Sequence, residues 1–337
     1  MKFENFWYVV AQSEALPPNK VIARQLLGEW LAIFRDAKGQ AIALQDRCIH
    51  RNSRLSCGSV RAGHLHCPYH GWVYGDQGRV TAVPAEAQQF QPRAQLRAKH
   101  YLTCEQEGFI YVCLAEPIAP PFAMPHYGEP NWQRVRVTHR FNNNVTNCAE
   151  NFIDIPHTVS VHPGIFRQTK HQKIAMTVSR REGKVIADYQ NETNNLGWWS
   201  WFLNPHQEPI FHSDRFFMPN VTSVEYRFGQ NRHLFITSQS IPENPTSTLV
   251  YTEAAFNYGI WTKLVIPFVR FTAKRIIGQD VKILKIQQEV ITKYGTKFAH
   301  TPADTIHVFV ESIREAIAKG EDPRLLPDKT VDVTFWV

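Results

Sequence analysis

The sequence predicts a small all-β domain followed by a larger α+β domain, from three features of its 337 residues. The first part contains short runs of aliphatic, β-branched and aromatic residues separated by turn signals. Prolines then gather at positions 117, 120, 121 and 125, which is typical of a linker. Beyond them, strand-like runs recur and two helical segments close the chain. We therefore expect domains over residues 1–118 and 119–337.

The individual elements follow from the same patterns. In the first domain, Gly75 to Gly78 is a hairpin signal, and strands are predicted at Phe6–Ala11, Trp30–Phe34, Ala41–Gln45 and Gly108–Leu114. In the second, strands are predicted at Arg134–Arg140, Lys184–Tyr189, Val221–Phe228, His233–Gln239 and Leu249–Phe256, and helices at Lys274–Tyr294 and Ala303–Lys319.

Charge and composition narrow the class of partner. The net charge is +7, but the basic residues are scattered along the chain and form no continuous run. This pattern argues against nucleic acid and favours an acidic electron-transfer protein as partner. No segment has the pattern of a signal peptide or a membrane span, so we expect a cytoplasmic protein whose six cysteines stay reduced.

Two cysteine–histidine pairs form the first candidate metal site. Cys48 and His50 are followed, sixteen residues later, by Cys67 and His70. Thiolates suit iron–sulfur clusters, and two cysteines with two histidines can hold a [2Fe–2S] cluster whose second iron is bound by imidazoles. A structural zinc ion takes the same ligand set and is the alternative. The long context after Cys67, Pro-Tyr-His-Gly-Trp-Val-Tyr, favours the cluster.

A second candidate site combines His157, His162 and Asp280. Residues five apart on a straight helix lie about 140° from each other, so the two histidines share a metal only if the helix breaks. Pro156 and Pro163 supply such breaks. Asp280 lies on the apolar face of a predicted helix, where a lone carboxylate is costly unless paired or metal-bound. Two histidines and a carboxylate form the facial triad of non-haem Fe(II) oxygenases, and a buried salt bridge of Asp280 to an arginine is the alternative.

Both sites lie in contexts that resemble the Rieske non-haem iron oxygenases. The segments beginning at Cys48 and Cys67 resemble the two cluster loops of that family, and Phe6-Trp-Tyr-Val-Val-Ala resembles the start of its first domain. The sequence departs from the commonest pattern at Ile49, which is usually proline, and at Asn52, which is usually glycine. The spacing of Asn151, Asp154, His157 and His162 is similar to the catalytic-domain signature, and Gln279-Asp280 to the later segment that gives the carboxylate.

The resemblance implies a fold and two cofactors. The fold would be an N-terminal all-β Rieske domain and a helix-grip-like catalytic domain built on an antiparallel sheet. Cys48, His50, Cys67 and His70 would hold a [2Fe–2S] cluster, and His157, His162 and Asp280 a mononuclear Fe(II). Asp154 would bridge a cluster histidine of one subunit to an iron-binding histidine of the next in a homotrimer, and Asn151 would lie near the iron.

It also implies a reaction. Electrons from a reductase or ferredoxin would pass through the cluster to the iron, where O2 is reduced and a hydrophobic small molecule is oxidised. The short single-chain layout resembles the monooxygenases and oxidative demethylases, so hydroxylation or demethylation of an aromatic, a sterol or another polycyclic molecule is expected. A cis-dihydroxylating ring dioxygenase is one alternative. A Rieske electron-transfer protein without oxygenase chemistry of its own is the other.

Two aromatic segments concern the substrate. Trp198 to Phe217 is dense in aromatic residues that either line an apolar pocket or fill a core beneath a sheet. The stretch Phe256 to Phe271 is a candidate entrance near the predicted iron helix. The basic residues within and just after that stretch, Lys263, Arg270, Lys274 and Arg275, also make peripheral contact with a membrane surface conceivable.

Overall fold

The computed structural model describes residues 1–163, 173–190, 204, 206–229 and 232–336. The chain forms two compact units. The smaller unit comprises Glu4–Ala123 with Ile241–Asn244, and the larger comprises Met1–Phe3, Met124–Ser240 and Pro245–Val337. Within the described ranges, no helix is both long enough and apolar enough to cross a membrane.

The smaller unit is an all-β unit with two antiparallel sheets. The strands are β1 (Tyr8–Gln12), β2 (Val21–Leu26), β3 (Glu29–Arg35), β4 (Ala41–Gln45), β5 (Ser59–Arg61), β6 (His64–His66), β7 (Val73–Tyr74), β8 (Val80–Ala82), β9 (His100–Gln106) and β10 (Phe109–Cys113). One sheet has the order β1-β10-β9-β4-β3-β2 and the other β5-β6-β7-β8. All five residues of β10 are buried, which fits its continuous apolar run.

The hairpin predicted at Gly75 to Gly78 joins β7 to β8. Its glycine at position 78 has φ 75°, and a Cβ atom there would lie 2.2 Å from the carbonyl oxygen of Ala98. Only glycine fits this combination of left-handed backbone and close approach. The turn pairs β8 with β7, the strand that follows the segment carrying Cys67 and His70.

The larger unit is built on one eight-stranded antiparallel sheet with the order β11-β17-β16-β15-β14-β13-β12-β18. Its strands are β11 (Gln133–Phe141), β12 (Lys173–Arg181), β13 (Lys184–Gln190), β14 (Ile210–Phe217), β15 (Val221–Phe228), β16 (Arg232–Asn244), β17 (Ser247–Asn257) and β18 (Lys329–Trp336). Its helices are α1 (Val145–Asn151), α2 (His157–Val161), α3 (Ile266–Tyr294) and α4 (Thr305–Ala318). The predicted fold class, an all-β unit followed by an α+β unit with an antiparallel sheet, is therefore confirmed.

The long helix α3 packs against the sheet and positions the second site. Buried residues of β11 and β17 form one hydrophobic cluster with Val265, Ile277 and Leu284. The helix begins at Ile266, eight residues before the predicted start, because Pro267 lies in its first turn, where a missing N–H costs nothing. Its inward face buries Asp280 between Ile277 and Leu284.

Candidate metal centres

Two loops with the same backbone hydrogen bonds carry the four cluster-type residues. In the first, the amide of Cys48 donates to Ser53 O at 2.8 Å and the amide of Asn52 donates to Cys48 O at 2.9 Å. In the second, the amide of Cys67 donates to Trp72 O at 2.8 Å and that of Gly71 to Cys67 O at 3.1 Å. Each loop is closed in the same way, which fixes the direction of its cysteine and histidine.

The two loops bring like residues together. The thiols of Cys48 and Cys67 are buried. Burial raises the pKa of the Cys67 thiol and the neighbouring Cys48 raises it further, whereas hydrogen bonds from nearby backbone amides lower it. The rings of His50 and His70 lie 4.6 Å apart between centroids. A Rieske cluster binds one iron by two sulfurs and the other by two imidazoles, so paired cysteines and paired histidines fit it. A bound metal would replace the thiol protons and remove the cost of bringing these groups together.

A fully buried tyrosine supports the first loop and was not predicted. The hydroxyl of Tyr74 lies 3.1 Å from Sγ of Cys48 and accepts a hydrogen bond of 3.1 Å from the amide of Ile49. Burial raises the pKa of Tyr74, so the hydroxyl keeps its proton and can donate it to the sulfur. The sequence offered only an aromatic residue four positions after His70, which is no signal for this contact.

The second site forms where α2 ends and α3 passes over it. The helix α2 runs from His157 to Val161 and stops at His162, which has φ −119° and ψ 54°, immediately before Pro163. This is the break that the five-residue spacing requires. His157, His162 and Asp280 each offer a ligand atom, and these atoms all lie within 4.8 Å of one another.

The three ligand atoms converge on one point. Oδ1 of Asp280 lies 3.0 Å from Nε2 of His162 and 3.5 Å from Nε2 of His157. That oxygen is buried but has no partner in hydrogen-bonding geometry among the described residues. Groups that approach each other without forming hydrogen bonds suit a shared cation better than a salt bridge. The arginine partner considered as the alternative for Asp280 is not what the structure places beside it.

Each imidazole has a side-chain oxygen near its other nitrogen. Oδ2 of Asp154 lies 3.5 Å from Nδ1 of His157, and Oε1 of Gln279 lies 3.0 Å from Nδ1 of His162. The hydrogen bond of Gln279 selects the tautomer of His162 and orients its ring toward a metal, whereas Nδ1 of His157 is buried near the Asp154 carboxylate without a hydrogen bond to the described residues. The sequence distinguishes Gln279 only as the neighbour of Asp280, because its role depends on a contact with His162, which is 117 residues distant in sequence.

The charges of this site call for a cation. Burial opposes protonation of His157, but the carboxylates of Asp154 and Asp280 outweigh it and raise its pKa to about 9. Burial likewise disfavours the charged form of Asp280, yet the two imidazoles lower the pKa of that carboxyl. The carboxylates of this site thus favour a positive charge beside His157, which a divalent ion would supply. The donor set, two imidazoles and one carboxylate, is the one that suits non-haem Fe(II).

The triad opens into an apolar cavity of about 210 Å³ in the larger unit. Its walls come from the sheet and from α3, and they include Val137, Phe152, Phe228, Leu234, Phe268 and Ile276. Asn151 and Asp154 also line it, and the amide nitrogen of Asn151 is buried without a hydrogen bond to the described residues. Such a cavity can hold a hydrophobic molecule next to the metal ligands.

A buried histidine–aspartate pair is part of the cavity wall. His212 and Asp214 face the cavity from β14, with Nε2 of the histidine 3.0 Å from Oδ1 of the aspartate. The ring of His212 lies between Tyr189 and Tyr226, with centroid distances of 4.3 and 4.1 Å, and the hydroxyl of Tyr189 donates to Asp214 at 2.9 Å. The signal that sequence reasoning missed is a histidine and an aspartate two residues apart, and so on one face of a strand.

The aromatic segment from Trp198 to Phe217 lies only partly within the described residues. Trp198, Trp199, Trp201 and Phe202 lie outside the described residues. Of its remaining aromatic residues, Phe216 is fully buried, whereas Phe211 and Phe217 are partly exposed on β14.

Comparison with known proteins finds two family models that match different parts of the chain. Residues 6–104 match the Rieske [2Fe-2S] domain, and residues 141–319 match the vanillate O-demethylase oxygenase C-terminal domain. The chloroplastic chlorophyllide a oxygenase of Chlamydomonas reinhardtii is 33% identical over 90% of this chain, which spans only 46% of that protein. The vanillate O-demethylase oxygenase subunit of a Pseudomonas species is 25% identical, covering 86% of this chain and 87% of its own.

Solved structures agree on the fold. Dicamba monooxygenase bound to 3,6-dichlorosalicylic acid superposes with a TM-score of 0.82 at 23% identity, covering 95% of this chain and 98% of the other. NdmA of Pseudomonas putida CBB5 with caffeine superposes with a TM-score of 0.77 at 21% identity, over 95% of this chain and 93% of that one. Because one family match spans the cluster domain and the other more than half of the chain, the protein belongs to the Rieske non-haem iron oxygenases, which carry a [2Fe–2S] cluster and a mononuclear Fe(II).

Proposed function

We propose that this chain is the oxygenase component of a monooxygenase system that hydroxylates or oxidatively demethylates a hydrophobic cyclic molecule. The observation that carries the proposal is the opening of the His157, His162 and Asp280 triad into an apolar cavity. An electron carrier needs neither the triad nor the cavity, so both argue against that alternative. When bound, the cluster supplies electrons one at a time and the iron activates O2.

The chain's own residues would perform four tasks. Asp154 and Gln279 orient the imidazoles of the triad, and the apolar wall excludes water from the ligand atoms. His212 and Asp214 supply the polar contact that orients a substrate carrying a polar substituent. Tyr74 donates to a cluster sulfur. The substrate class that fits is therefore a ring compound with one polar group, such as a substituted aromatic, a sterol or another polycyclic molecule.

The electron donor and the assembly belong to the same proposal. A net charge of +7 suits an acidic reductase or ferredoxin. A homotrimer is supported by an exposed apolar seam on the second half of α3, where Ile283, Ile286, Val290 and Tyr294 recur at helical spacing and are 40 to 71% exposed. In such a ring, Asp154 of one copy would meet a cluster histidine of the next. A cytoplasmic location is also proposed, since a reducing compartment suits a chain whose six cysteines form no disulfide.

Metal analysis with matched variants tests the triad. The wild-type chain, reconstituted anaerobically with iron and sulfide, should hold a cluster seen by EPR and one further iron. Asp280→Ala and the isosteric Asp280→Asn should lose the further iron and keep the cluster. Glu289→Gln, which removes an exposed carboxylate from the same helix, should keep both.

The reaction is tested by product identification. Wild-type protein, a reductase and a panel of ring compounds with and without a polar substituent should yield a hydroxylated or demethylated product. A cis-diol would favour the dioxygenase alternative instead. Retention of the further iron and of turnover in both Asp280 variants would overturn the assignment of the triad.

A further inference from the structure

Four large apolar side chains are exposed together where the chain enters α3. The exposed fractions are 91% for Ile260, 49% for Trp261, 70% for Leu264 and 65% for Phe271. Leu264 lies in the turn that leads into α3, and Phe271 follows it seven residues later in the second turn of the helix. A contiguous exposed patch of this kind marks an interaction surface more often than chance exposure does.

The backbone that presents the patch is fixed. Thr262 and Val265 are 4% exposed and anchor this turn in the unit. The hydroxyl of Thr262 accepts from the amide of Tyr258 at 2.8 Å and donates to Gly259 O at 2.6 Å. The exposed side chains therefore project from a turn that the core holds in place.

A stripe of cations runs beside the apolar patch. Lys263, Arg270 and Lys274 are exposed and recur at intervals of seven and four residues, so they form one row next to Leu264 and Phe271. Arg275 is exposed as well, and no acidic residue occurs between positions 257 and 279. An apolar face of Trp, Phe and Leu with Lys and Arg beside it is the composition of helices that lie in a membrane interface. The apolar patch and these four cations together are called the entry face below.

Other side chains of the first three turns of α3 line the cavity. Phe268, Thr272 and Ile276 line the space into which the triad opens. Asp280 follows Phe271 by nine residues, a rise of about 14 Å along the helix. The part of α3 that carries Phe271 and three of the four cations therefore also carries cavity-lining residues and, further along, the ligand Asp280.

We propose that the entry face docks on the surface of an anionic lipid bilayer. The apolar side chains would enter the interface between headgroups and acyl chains, and the cations would meet lipid phosphates. A second copy of the chain is the less suitable occupant, because a two-fold contact would place the four cations against themselves and the proposed ring uses the apolar seam on the second half of α3. Docking here brings the cavity to the lipid, so a hydrophobic substrate passes from bilayer to site without crossing water. This last step rests on the proposed function, whereas the docking itself does not.

Co-sedimentation with lipid vesicles tests the docking. The full chain with its metals is mixed with vesicles of phosphatidylcholine alone or of equal parts phosphatidylcholine and phosphatidylglycerol. We expect binding to the anionic vesicles that weakens with added salt, and little binding to the neutral ones. Leu264→Ser/Phe271→Ser and Lys263→Gln/Lys274→Gln should each weaken binding at least tenfold. Leu325→Ser, which removes another leucine that is 83% exposed, should bind as the wild type does.

Two further measurements keep the outcome decisive. Metal content and molecular mass in solution should be the same in wild type and variants, which shows that the variants fold and assemble. The proposal is overturned if wild-type protein ignores the anionic vesicles or if the entry-face variants bind them equally well. It is also overturned if Leu264→Ser/Phe271→Ser lowers the assembled mass, which would assign the face to a second copy. Because none of these readouts uses turnover, failure of the docking and failure of the proposed reaction are distinguishable.

Discussion

Gln279 and Asp280, adjacent on α3, contact opposite nitrogens of one imidazole. Oε1 of Gln279 lies 3.0 Å from Nδ1 of His162, and Oδ1 of Asp280 lies 3.0 Å from Nε2 of the same ring. The amide oxygen can only accept, so Nδ1 carries the proton and Nε2 turns its lone pair toward the side of Asp280. The tautomer needed for metal binding is therefore set by a neutral residue next to the carboxylate.

Replacing Gln279 should weaken iron binding without removing a ligand. We expect Gln279→Ala to lower the affinity for Fe(II) by 10- to 100-fold, the usual range for partners of ligating histidines, while Gln279→Glu keeps an acceptor and stays closer to wild type. An anaerobic Fe(II) titration measures both. Gln288→Ala, on the same helix, is the control. Equal affinity in Gln279→Ala and wild type would show that the tautomer is set by another group.

Asp154→Asn should separate metal binding from electron transfer. Asp154 lies 3.5 Å from Nδ1 of His157 and is not within reach of being a third ligand in place of Asp280. We expect the variant to retain both metals, because the triad is intact, but to transfer electrons to the iron roughly 10- to 100-fold more slowly. Stopped-flow oxidation of the reduced cluster in the presence of O2 reports this rate. An unchanged rate would remove Asp154 from the pathway.

The sequence predicts those strands whose hydrophobic pattern is clear and misses those whose pattern is weak or ambiguous. The strands β11, β15 and β17 have continuous apolar or alternating patterns, and their predicted ranges agree with the structure within a few residues. β12 and β18 pair with each other at one end of the sheet. Their alternation of polar and apolar residues is weak, so the sequence predicts no strand at either place. Likewise, the aromatic density before Phe217 concealed β14, because aromatic residues suit a pocket, a core and a strand equally.

The sequence likewise predicted some residues of the candidate site and missed others. Asp280 was found because a carboxylate interrupted an apolar helix face, and the structure buries it at 3% exposure. Spacing alone would also place Ile283, three residues after Asp280, on that face, but Ile283 is 40% exposed, so the buried part of the face is narrower than its apolar pattern. Tyr74, Gln279 and His212 were missed because their importance comes from partners distant in sequence or on a neighbouring strand, which periodicity does not report. The ligand role of Asp280 stays a prediction, which metal analysis of the two Asp280 variants tests.

Asn52 should tolerate glycine better than alanine. It has φ 56°, and Gly71, which closes the second cluster loop in the same way, has φ 70°. Asparagine visits this left-handed region more readily than other residues with a side chain, which explains how it replaces the usual glycine. We expect Asn52→Ala to cost about 1 kcal/mol of stability and Asn52→Gly to cost less, although Arg47 loses its 2.8 Å contact in both. Urea midpoints for loss of cluster absorbance measure the order, and a reversed order would contradict it.

Tyr74→Phe should lower the reduction potential of the cluster. The hydroxyl at 3.1 Å from the Cys48 sulfur stabilises the more negative, reduced cluster more than the oxidised one. A loss of up to about 1.4 kcal/mol corresponds to a potential lower by up to about 60 mV for one electron. A redox titration followed by EPR measures it. Tyr69→Phe, at an exposed residue of the second loop, is the control, and equal potentials for Tyr74→Phe and wild type would exclude the hydrogen bond.

The buried carboxyl of Glu150, on α1 one turn before Asp154, should make stability depend on pH. Burial and the carboxylates of Glu311, Asp154 and Asp304 raise its pKa to about 9, with Arg314 acting in the opposite direction. Its Oε1 is buried without a hydrogen bond to the described residues. The folded chain therefore keeps this proton at neutral pH, whereas the unfolded chain releases it near pH 4.3.

Between those two values the folded state binds one proton more than the unfolded state, so this group makes stability fall as pH rises. Glu150→Gln has no proton to lose. Its advantage over wild type in free energy of unfolding should grow from about pH 5 to about pH 8, by at most about 1.4 kcal/mol per pH unit. Urea titrations at several pH values measure the difference, with Glu289→Gln as the exposed control that should run parallel to wild type. A difference between Glu150→Gln and wild type that stays constant over this range would mean that Glu150 is ionised in the folded chain, and that its neighbours stabilise the charge despite its burial.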